Sequence, residues 1–132
     1  MSSIHIADDT FVAASPGLVA AELSFESDWR RWWPDLAVSV REDRAEKGIR
    51  WRVGDALEGT MEVWLEPVLD GTMLHYFLHA EPAGGLIPQA GELADLNHKR
   101  RVAGRSMALE VKFRAERGRR PGEPSVSSAT SG

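Results

Sequence analysis

Cysteine is absent from this chain of 132 residues, and long apolar runs are absent as well. Without thiols the chain can form no disulfide framework, no thiolate zinc site and no cysteine nucleophile. No apolar run approaches the length that crosses a bilayer, and the first ten residues lack the basic and apolar regions of a secretory signal. We therefore expect one globular domain in a reducing cytoplasm.

An excess of basic charge is also missing, which argues against a nucleic-acid partner. The chain holds 16 lysines and arginines against 20 aspartates and glutamates, for a formal net charge of −4. Basic residues crowd positions 99–120, but no recognition motif or aromatic platform accompanies them. A solvated helix face explains them, and we expect no nucleic-acid binding.

Catalytic signatures are equally scarce. The sequence contains no GxxxxGK[ST], no GxGxxG after a strand, no GxSxG and no HExxH. His75 and His79 share a strand face but would lie roughly 13 Å apart, too far to share one metal. Asp95 and His98 stand three apart on a predicted helix, and two ligands alone are a weak metal signal. We expect no metal and no cofactor.

Alternation of apolar and polar residues predicts five antiparallel strands. Their sequences are IHIADDTFVAA near the N-terminus, then LAVSVRED, GIRWRV, LEGTMEVWLEP and TMLHYFLHAEP. Between the first two strands, the Ser-Pro pair at 15–16 predicts a short helix over 17–25. Ser27 predicts the cap of a second short helix over 28–33, which Pro34 helps to end.

Helix formers without a proline predict one long helix over residues 93–116. At 100° per residue one apolar stripe includes an arginine, and its members are Leu93, Leu96, Arg100, Ala103, Met107 and Val111. A narrower second stripe on the opposite side consists of Val102, Leu109 and Phe113. The domain is predicted to cover residues 1–117, and the glycine-, proline- and serine-rich segment 118–132 is predicted to be a disordered tail.

The alternation also sorts the two faces of the sheet. The predicted inner face carries Ile49, Trp51, Val53, Met61, Val63, Leu65, Leu74, Tyr76 and Leu78. On the outer face, Arg50 and Arg52 can pair with Glu58, Glu62 and Glu66. Trp64 and Phe77 also fall on the outer face, where either they cover each other or a second protomer covers them. A homodimer through these aromatics and the second stripe of the helix is therefore a prediction.

Several phrases of the sequence resemble a known family. The phrases ASPGLVAAEL, DWRRWWPDL, GTMEVWLEPVLDGTMLHYFLHAEP and NHKRRVAGRSMALEVKFRAERGRRPGEP are similar to the actinobacterial polyketide cyclase/dehydrase-like branch of the START (SRPBCC) superfamily. The resemblance covers about residues 4–117 and implies an α+β helix-grip fold, in which a long C-terminal helix crosses a curved antiparallel sheet and two short helices close one end. It also implies a cavity for an apolar ligand. Superfamily domains usually have seven strands, whereas five can be placed here.

The implied cavity gives the cluster of tryptophans at 29–33 two interpretations. Trp29 and Trp33 share a helix face at four-residue spacing, and together with Trp32 they either form the wall of a ligand site or plug the space. Arg100, inside the apolar stripe, either orients a carboxylate or carbonyl or reaches the rim by snorkelling. Tyr76 either hydrogen-bonds a ligand, acts as an acid, or is a core residue.

We therefore predict a carrier of a small hydrophobic or aromatic molecule, such as a lipid or a polyketide-like compound. The predicted ligand-binding residues are Trp29, Trp33, Trp51, Met61, Tyr76, Arg100 and Met107. One alternative is a polyketide aromatase/cyclase in which Tyr76 and Arg100 steer an enolate. The other is a protein-interaction module that uses Trp64 and Phe77 and has no ligand cavity.

Overall fold

The computed structural model describes residues 3–85 and 87–117 as one antiparallel sheet with helices on one face. The strands are β1 Ile4–Val12, β2 Leu36–Asp43, β3 Gly48–Asp55, β4 Leu57–Val68 and β5 Gly71–Pro82, and they lie in the order β1-β5-β4-β3-β2. The α-helices are α1 Pro16–Glu22, α2 Glu26–Trp32 and α3 Ala90–Glu116, with a 3₁₀ turn at Ala45–Lys47 and a turn at Ala83–Gly85 in which both glycines have positive φ. The predicted helix-grip architecture and all five predicted strands are confirmed.

The two short helices form, but their limits differ from the predicted ones. α1 begins at Pro16, the proline of the Ser-Pro pair, and ends at Glu22 rather than at residue 25. The chain is extended again at Phe25 (φ −94°, ψ 112°). α2 then begins at Glu26, so Ser27 lies inside the helix and the predicted Ser27 cap is wrong. Acidic side chains occupy the first turn of α2, where they face the positive end of the helix dipole and favour this earlier start.

The inner face of the sheet is the predicted one. All nine residues assigned to it are buried: Ile49, Trp51, Val53, Met61, Val63, Leu65, Leu74, Tyr76 and Leu78. The outer face was predicted less well. Arg50 donates to Glu62 at 2.8 Å as expected, whereas Glu66 contacts His75 and Arg52 lies opposite a threonine. Alternation fixes which face a side chain occupies, but the strand register decides its partner.

Helix α3 crosses the inner face and packs mainly against β1. It begins at Ala90 rather than at Leu93 and ends at Glu116 as predicted. Its buried residues are Arg100, Gly104, Met107, Ala108, Val111 and Ala115. Arg100, Met107 and Val111 of the predicted stripe are therefore buried, whereas Leu93, Leu96 and Ala103 are only partly buried against the core. The small buried residues Gly104, Ala108 and Ala115 lie outside the predicted stripe and allow the helix to approach the sheet closely.

The closest approach is at Gly104, which lies against the ring of Tyr76. A β-carbon built on Gly104 would lie 2.4 Å from Cε2 and 2.8 Å from Cδ2 of that ring. The ring has little freedom to move away, because it is buried and its far end is tied to the core by a hydrogen bond to Met61. Glycine is therefore needed at this position for packing.

Replacing Gly104 by alanine should lower the free energy of unfolding by about 1–3 kcal/mol, the usual cost of overpacking a core. Alanine is more favourable than glycine inside a helix by about 1 kcal/mol. The cost of overpacking must therefore exceed this gain in helix propensity before the variant is destabilised. Gly91→Ala is the matched control, since a β-carbon there meets no atom within 4 Å. Urea unfolding measures both variants, and equal stabilisation by the two would show that the Gly104 contact is not tight.

The second stripe of α3 stays on the surface. Val102, Leu109 and Phe113 are exposed, and Phe113 is 72% exposed. These residues contribute nothing to the core of a single chain. The homodimer predicted from them stays a prediction.

The predicted tail at 118–132 lies outside the described residues. Among the residues that are described, no helix is both long and apolar enough to cross a membrane. The predicted cytoplasmic location stays a prediction.

Candidate functional site

Aromatic rings from α2 and the sheet meet in the interior beneath α3. The ring of Trp33 packs edge-on against Trp51 at 5.5 Å between centroids and lies parallel to Tyr76 at 6.4 Å. Trp29 packs edge-on against Trp51 at 5.6 Å from the other side. Trp29 lies in α2, whereas Trp33 is the residue just after its last turn, so the predicted helix 28–33 ends one residue early. Both tryptophans face the inner side of the sheet, which carries Trp51 on β3 and Tyr76 on β5. We call Trp29, Trp33, Trp51 and Tyr76 the aromatic cluster.

The structure brings all seven predicted ligand-binding residues into this interior. Each of them is buried: Trp29, Trp33, Trp51, Met61, Tyr76, Arg100 and Met107. The rings contact one another, so the aromatic cluster fills much of the space between α2 and the sheet.

Hydrogen bonding divides the tryptophans of the cluster into two kinds. Trp29 Nε1 donates to the carbonyl oxygen of Leu23 at 2.8 Å. The Nε1 atoms of Trp33 and Trp51 are buried and have no acceptor within residues 3–85 and 87–117. Buried donors are nearly always paired in folded proteins, so two unpaired indoles in contact with each other are an unusual feature.

Tyr76 donates its hydroxyl proton to the sulfur of Met61 at 3.1 Å, and sulfur is a weak acceptor. Burial raises the pKa of the Tyr76 phenol above its ordinary value, although the nearby Arg100 acts in the opposite direction. The phenol therefore remains protonated at neutral pH. It is suited to donating a hydrogen bond and poorly suited to releasing a proton.

Arg100 is buried and paired, and the snorkelling interpretation is wrong. Its side chain is only 4% exposed, and its two terminal nitrogens donate to the carboxylate of Asp35 at 2.9 and 2.6 Å. Hydrogen bonding from Arg100 lowers the pKa of Asp35 to about 2. The carboxylate neutralises the guanidinium, while Arg100 Nε is buried without an acceptor in the described part of the chain.

A network of ion pairs fastens α2 to α3 on the outside of the aromatic cluster. Arg114 of α3 donates to Asp28 of α2 at 2.8 Å and contacts Glu110 at 2.8 Å. Arg31 of α2 donates to Asp28 at 2.9 Å and also pairs with Glu110. Burial alone would raise the pKa of Asp28, but these bonds to arginine lower it. The helix that carries the tryptophans is thus held in place partly by charges at the surface.

Two clefts open beside the aromatic cluster. A mostly apolar cleft of about 290 Å³ lies between α1 and the start of β3, with the buried side chains of Leu23 and Ile49 in its lining. A second, of about 240 Å³, lies between α2 and β2 and is lined in part by Trp29 and Val38. Of the predicted ligand-binding residues, Trp29 is the one that reaches either cleft.

On the outer face, Trp64 and Phe77 do not cover each other, because a histidine lies between them. Trp64 stacks on His75 at 4.7 Å, and His75 stacks on Phe77 at 6.5 Å. His75 also contacts Asp9 through Nδ1 at 2.6 Å and Glu66 through Nε2 at 2.9 Å. Burial alone would lower the pKa of His75, but the bonds to the two carboxylates outweigh it and raise the pKa.

Sequence reasoning missed two residues that contact the predicted site. Asp35 pairs with Arg100, and Gly104 packs against Tyr76. Asp35 follows Pro34 in a connection where an aspartate is ordinary, so no local signal marked it as the partner of Arg100. Gly104 carried a weak signal, because a glycine in the middle of a long helix is unfavourable unless something approaches closely.

No protein-family model and no curated protein matches this sequence. Solved structures of similar fold do exist. A START superfamily protein from Mycobacterium smegmatis has a TM-score of 0.61 at 15% identity, with 86% of this chain and 97% of that one covered. The Aha1 dimer from Colwellia psychrerythraea has a TM-score of 0.59 at 17% identity, with 89% of this chain and 99% of that one covered.

The di-domain ARO/CYC protein StfQ from the steffimycin biosynthetic pathway is a further similar structure. Its TM-score is 0.60 at 19% identity, and the similarity covers 86% of this chain and 51% of that one. Identities this low establish the fold alone. The chain therefore has a START-like helix-grip fold.

Proposed function

We propose that this protein binds a small hydrophobic or aromatic molecule between its sheet and α3. The seven predicted residues line the site, with the aromatic cluster as its apolar wall. The ligand we expect is a compound with one or more rings and a few oxygen atoms that accept hydrogen bonds.

The unpaired buried donors are the observation that carries this proposal. Nε1 of Trp33, Nε1 of Trp51 and Nε of Arg100 all lie in the interior without an acceptor among the described residues. An unpaired buried donor costs about 1–3 kcal/mol, so burying several of them destabilises a fold whose interior is only a packed core. A ligand oxygen would accept from these donors, and its rings would replace the contacts that the indoles now make with each other.

The apolar cleft between α1 and β3 supports a route to this interior. Its volume of about 290 Å³ is near the lower end of the range for ligand pockets, which begins at roughly 300 Å³. Ile49 in its lining shares the inner face of β3 with Trp51, two residues further along. A ligand that displaces the Ile49 side chain would therefore reach the aromatic cluster.

The state of Tyr76 and Arg100 favours binding over the aromatase/cyclase alternative. Steering an enolate requires a group that exchanges protons or a cation that is free to meet developing negative charge. The Tyr76 phenol is held protonated by burial, and both terminal nitrogens of Arg100 are engaged by Asp35. Neither group has the freedom that the reaction would demand.

Ligand binding is tested by indole fluorescence and thermal unfolding with a panel of fatty acids, flavonoids and polyketide-like aromatics. A true ligand should quench fluorescence saturably and raise the melting temperature. A ligand present at a hundredfold its Kd adds about 2.7 kcal/mol to the stability of the folded state. If no member of the panel gives quenching or stabilisation, the tryptophans are a plug and the interaction-module alternative takes precedence.

Two tryptophan variants locate the binding event. Trp33→Phe removes an indole donor that has no partner, so it should weaken ligands that carry acceptor oxygens. Trp29→Phe is the control, because its indole proton is already used by the carbonyl of Leu23 and is not free for a ligand. Equal weakening by both variants would show that the unpaired indole proton of Trp33 does not recognise the ligand.

A further inference from the structure

A β-bulge in β2 sets Arg41 apart from the other side chains of the outer face. Val40 pairs with Trp51 and Glu42 pairs with Arg50, which leaves Arg41 with no partner residue on β3. A bulge interrupts the alternation of a strand and re-aims the extra side chain. Arg41 is exposed and contributes to two adjoining clefts on this face.

The two clefts are concave parts of the sheet surface on the side opposite α3. The first, of about 370 Å³, is lined by Arg41, Arg50, Thr60, Glu62, Phe77 and His79. The second, of about 430 Å³, shares Arg41 and Thr60 with the first and adds Arg52 and Glu58. Because they share two side chains, the clefts form one continuous surface.

Positive charge on this surface is only partly neutralised. Glu62 is taken by Arg50 at 2.8 Å and lies 3.5 Å from Arg44. Arg41 and Arg52 form no hydrogen bond or ion pair with any other residue that the structure describes, although the charge of Arg41 interacts with the neighbouring carboxylate of Glu42. Glu58 is the remaining acid that lines the clefts. This face therefore offers two guanidinium groups that are not hydrogen-bonded to an acid, in a chain whose net charge is −4. A guanidinium binds the oxygens of a carboxylate or phosphate in pairs.

An apolar ring surface lies beside these guanidinium groups. Phe77 and His79 are both half-buried, and their rings lie within 17° of parallel at 6.5 Å between centroids. Thr60 sits directly across from His79 on the neighbouring strand and adds a hydroxyl group to the same cleft. A flat molecule lying over Phe77 would hold its charged group within reach of Arg41.

We propose that this outer face is a second binding site, which takes a small organic oxyanion carried on an aromatic ring. Arg41 and Arg52 bind the oxyanion, Thr60 donates a further hydrogen bond, and Phe77 and His79 contact the ring. The site lies on the opposite side of the sheet from the interior site of the proposed function. This second site does not depend on the proposed interior site, because none of its residues belongs to the aromatic cluster.

The test uses phenyl phosphate as the probe and compares it with inorganic phosphate and with phenol, which represent its two halves. Calorimetry measures the affinity of each compound, and NMR spectra record the shifts of the backbone amides in β2 to β5. Phenyl phosphate should shift amides around Thr60 and His79 and bind at least about tenfold more tightly than either half. Equal affinity for inorganic phosphate would show that no ring is recognised. The absence of saturable shifts at phenyl phosphate concentrations up to roughly 10 mM would overturn the site altogether.

Variants that remove one positive charge distinguish specific binding of phenyl phosphate at this site from nonspecific electrostatic attraction of the anion to the protein. Arg41→Gln and Arg52→Gln should each weaken phenyl phosphate about tenfold, the size expected for a charge-assisted hydrogen bond. Arg101→Gln is the matched control, since Arg101 is exposed on α3 and the variant makes the same change in net charge. Equal weakening by Arg101→Gln would overturn the proposal in favour of nonspecific charge. Arg41→Lys keeps the charge but loses the paired geometry, and it should restore the affinity only in part.

Discussion

Trp51→Ala should lower the free energy of unfolding by about 3–5 kcal/mol, the usual cost of truncating a large buried aromatic side chain. Trp51 is fully buried, and its ring contacts both Trp29 and Trp33. No hydrogen bond is lost in the variant, because the indole proton has no partner among the described residues. The cost therefore comes from apolar contacts and from the cavity that remains.

The matched control for this variant is Trp64→Ala on the neighbouring strand. Trp64 lies on the outer face and is 42% exposed, so its replacement should cost no more than about 1 kcal/mol. Urea unfolding of the two variants gives the comparison. If Trp51→Ala costs as little as Trp64→Ala, then Trp51 does not pack in a close-packed interior and the account of the aromatic cluster is wrong.

Asp35→Asn should produce the second large effect, on the order of 3 kcal/mol of lost stability. Breaking an ion pair that contains a buried charge typically costs 3–5 kcal/mol, and we expect about the lower limit because Asp35 is partly exposed to water. The cost arises at Arg100, which would be left buried with its guanidinium charge only partly compensated. Combining Asp35→Asn with Arg100→Met removes the buried charge and should restore part of the stability.

The same pair gives a pH dependence whose sign is fixed by the lowered pKa. The pKa of Asp35 is about 2 in the folded protein and about 3.9 in an unfolded chain. A lowered pKa means that the pair stabilises the fold above about pH 4 and that this contribution is lost as the pH falls toward 2. Urea unfolding between pH 2 and 5 should show this loss in the native protein, and the Asp35→Asn variant should lack that part of the curve. An identical acid profile in both would contradict the pairing.

Local periodicity was sufficient to predict the strands, the inner face and the crossing helix. The buried side of Trp51 and of Met107 was predicted correctly from local spacing. Side chains in a strand change face at every residue, and side chains in a helix return to the same face about every 3.6 residues, whichever element packs against them. The end of α3 at Glu116 followed from helix formers without a proline. These features depend on residues that are close together in the chain, so they can be predicted from the sequence alone.

Contacts between distant residues could not be predicted in the same way. Asp35 and Arg100 are 65 positions apart, and nothing in either segment encodes that they meet. The bulge that isolates Arg41 and the stacking of His75 between Trp64 and Phe77 depend on the register of two strands, which alternation leaves open. Whether a buried indole is paired depends on the whole interior, so the distinction between Trp29 and Trp33 is visible only in the structure.

The most direct test of the interior site is NMR of the tryptophan indole groups during titration with an aromatic ketone identified in the ligand panel. Each indole N–H gives its own signal, and a proton that gains an acceptor moves downfield. We predict that the Trp33 and Trp51 signals move downfield on binding, while the Trp29 signal, already bonded to Leu23, moves little. Saturable binding that leaves the Trp33 and Trp51 signals unchanged would contradict the claim that these unpaired donors recognise the ligand.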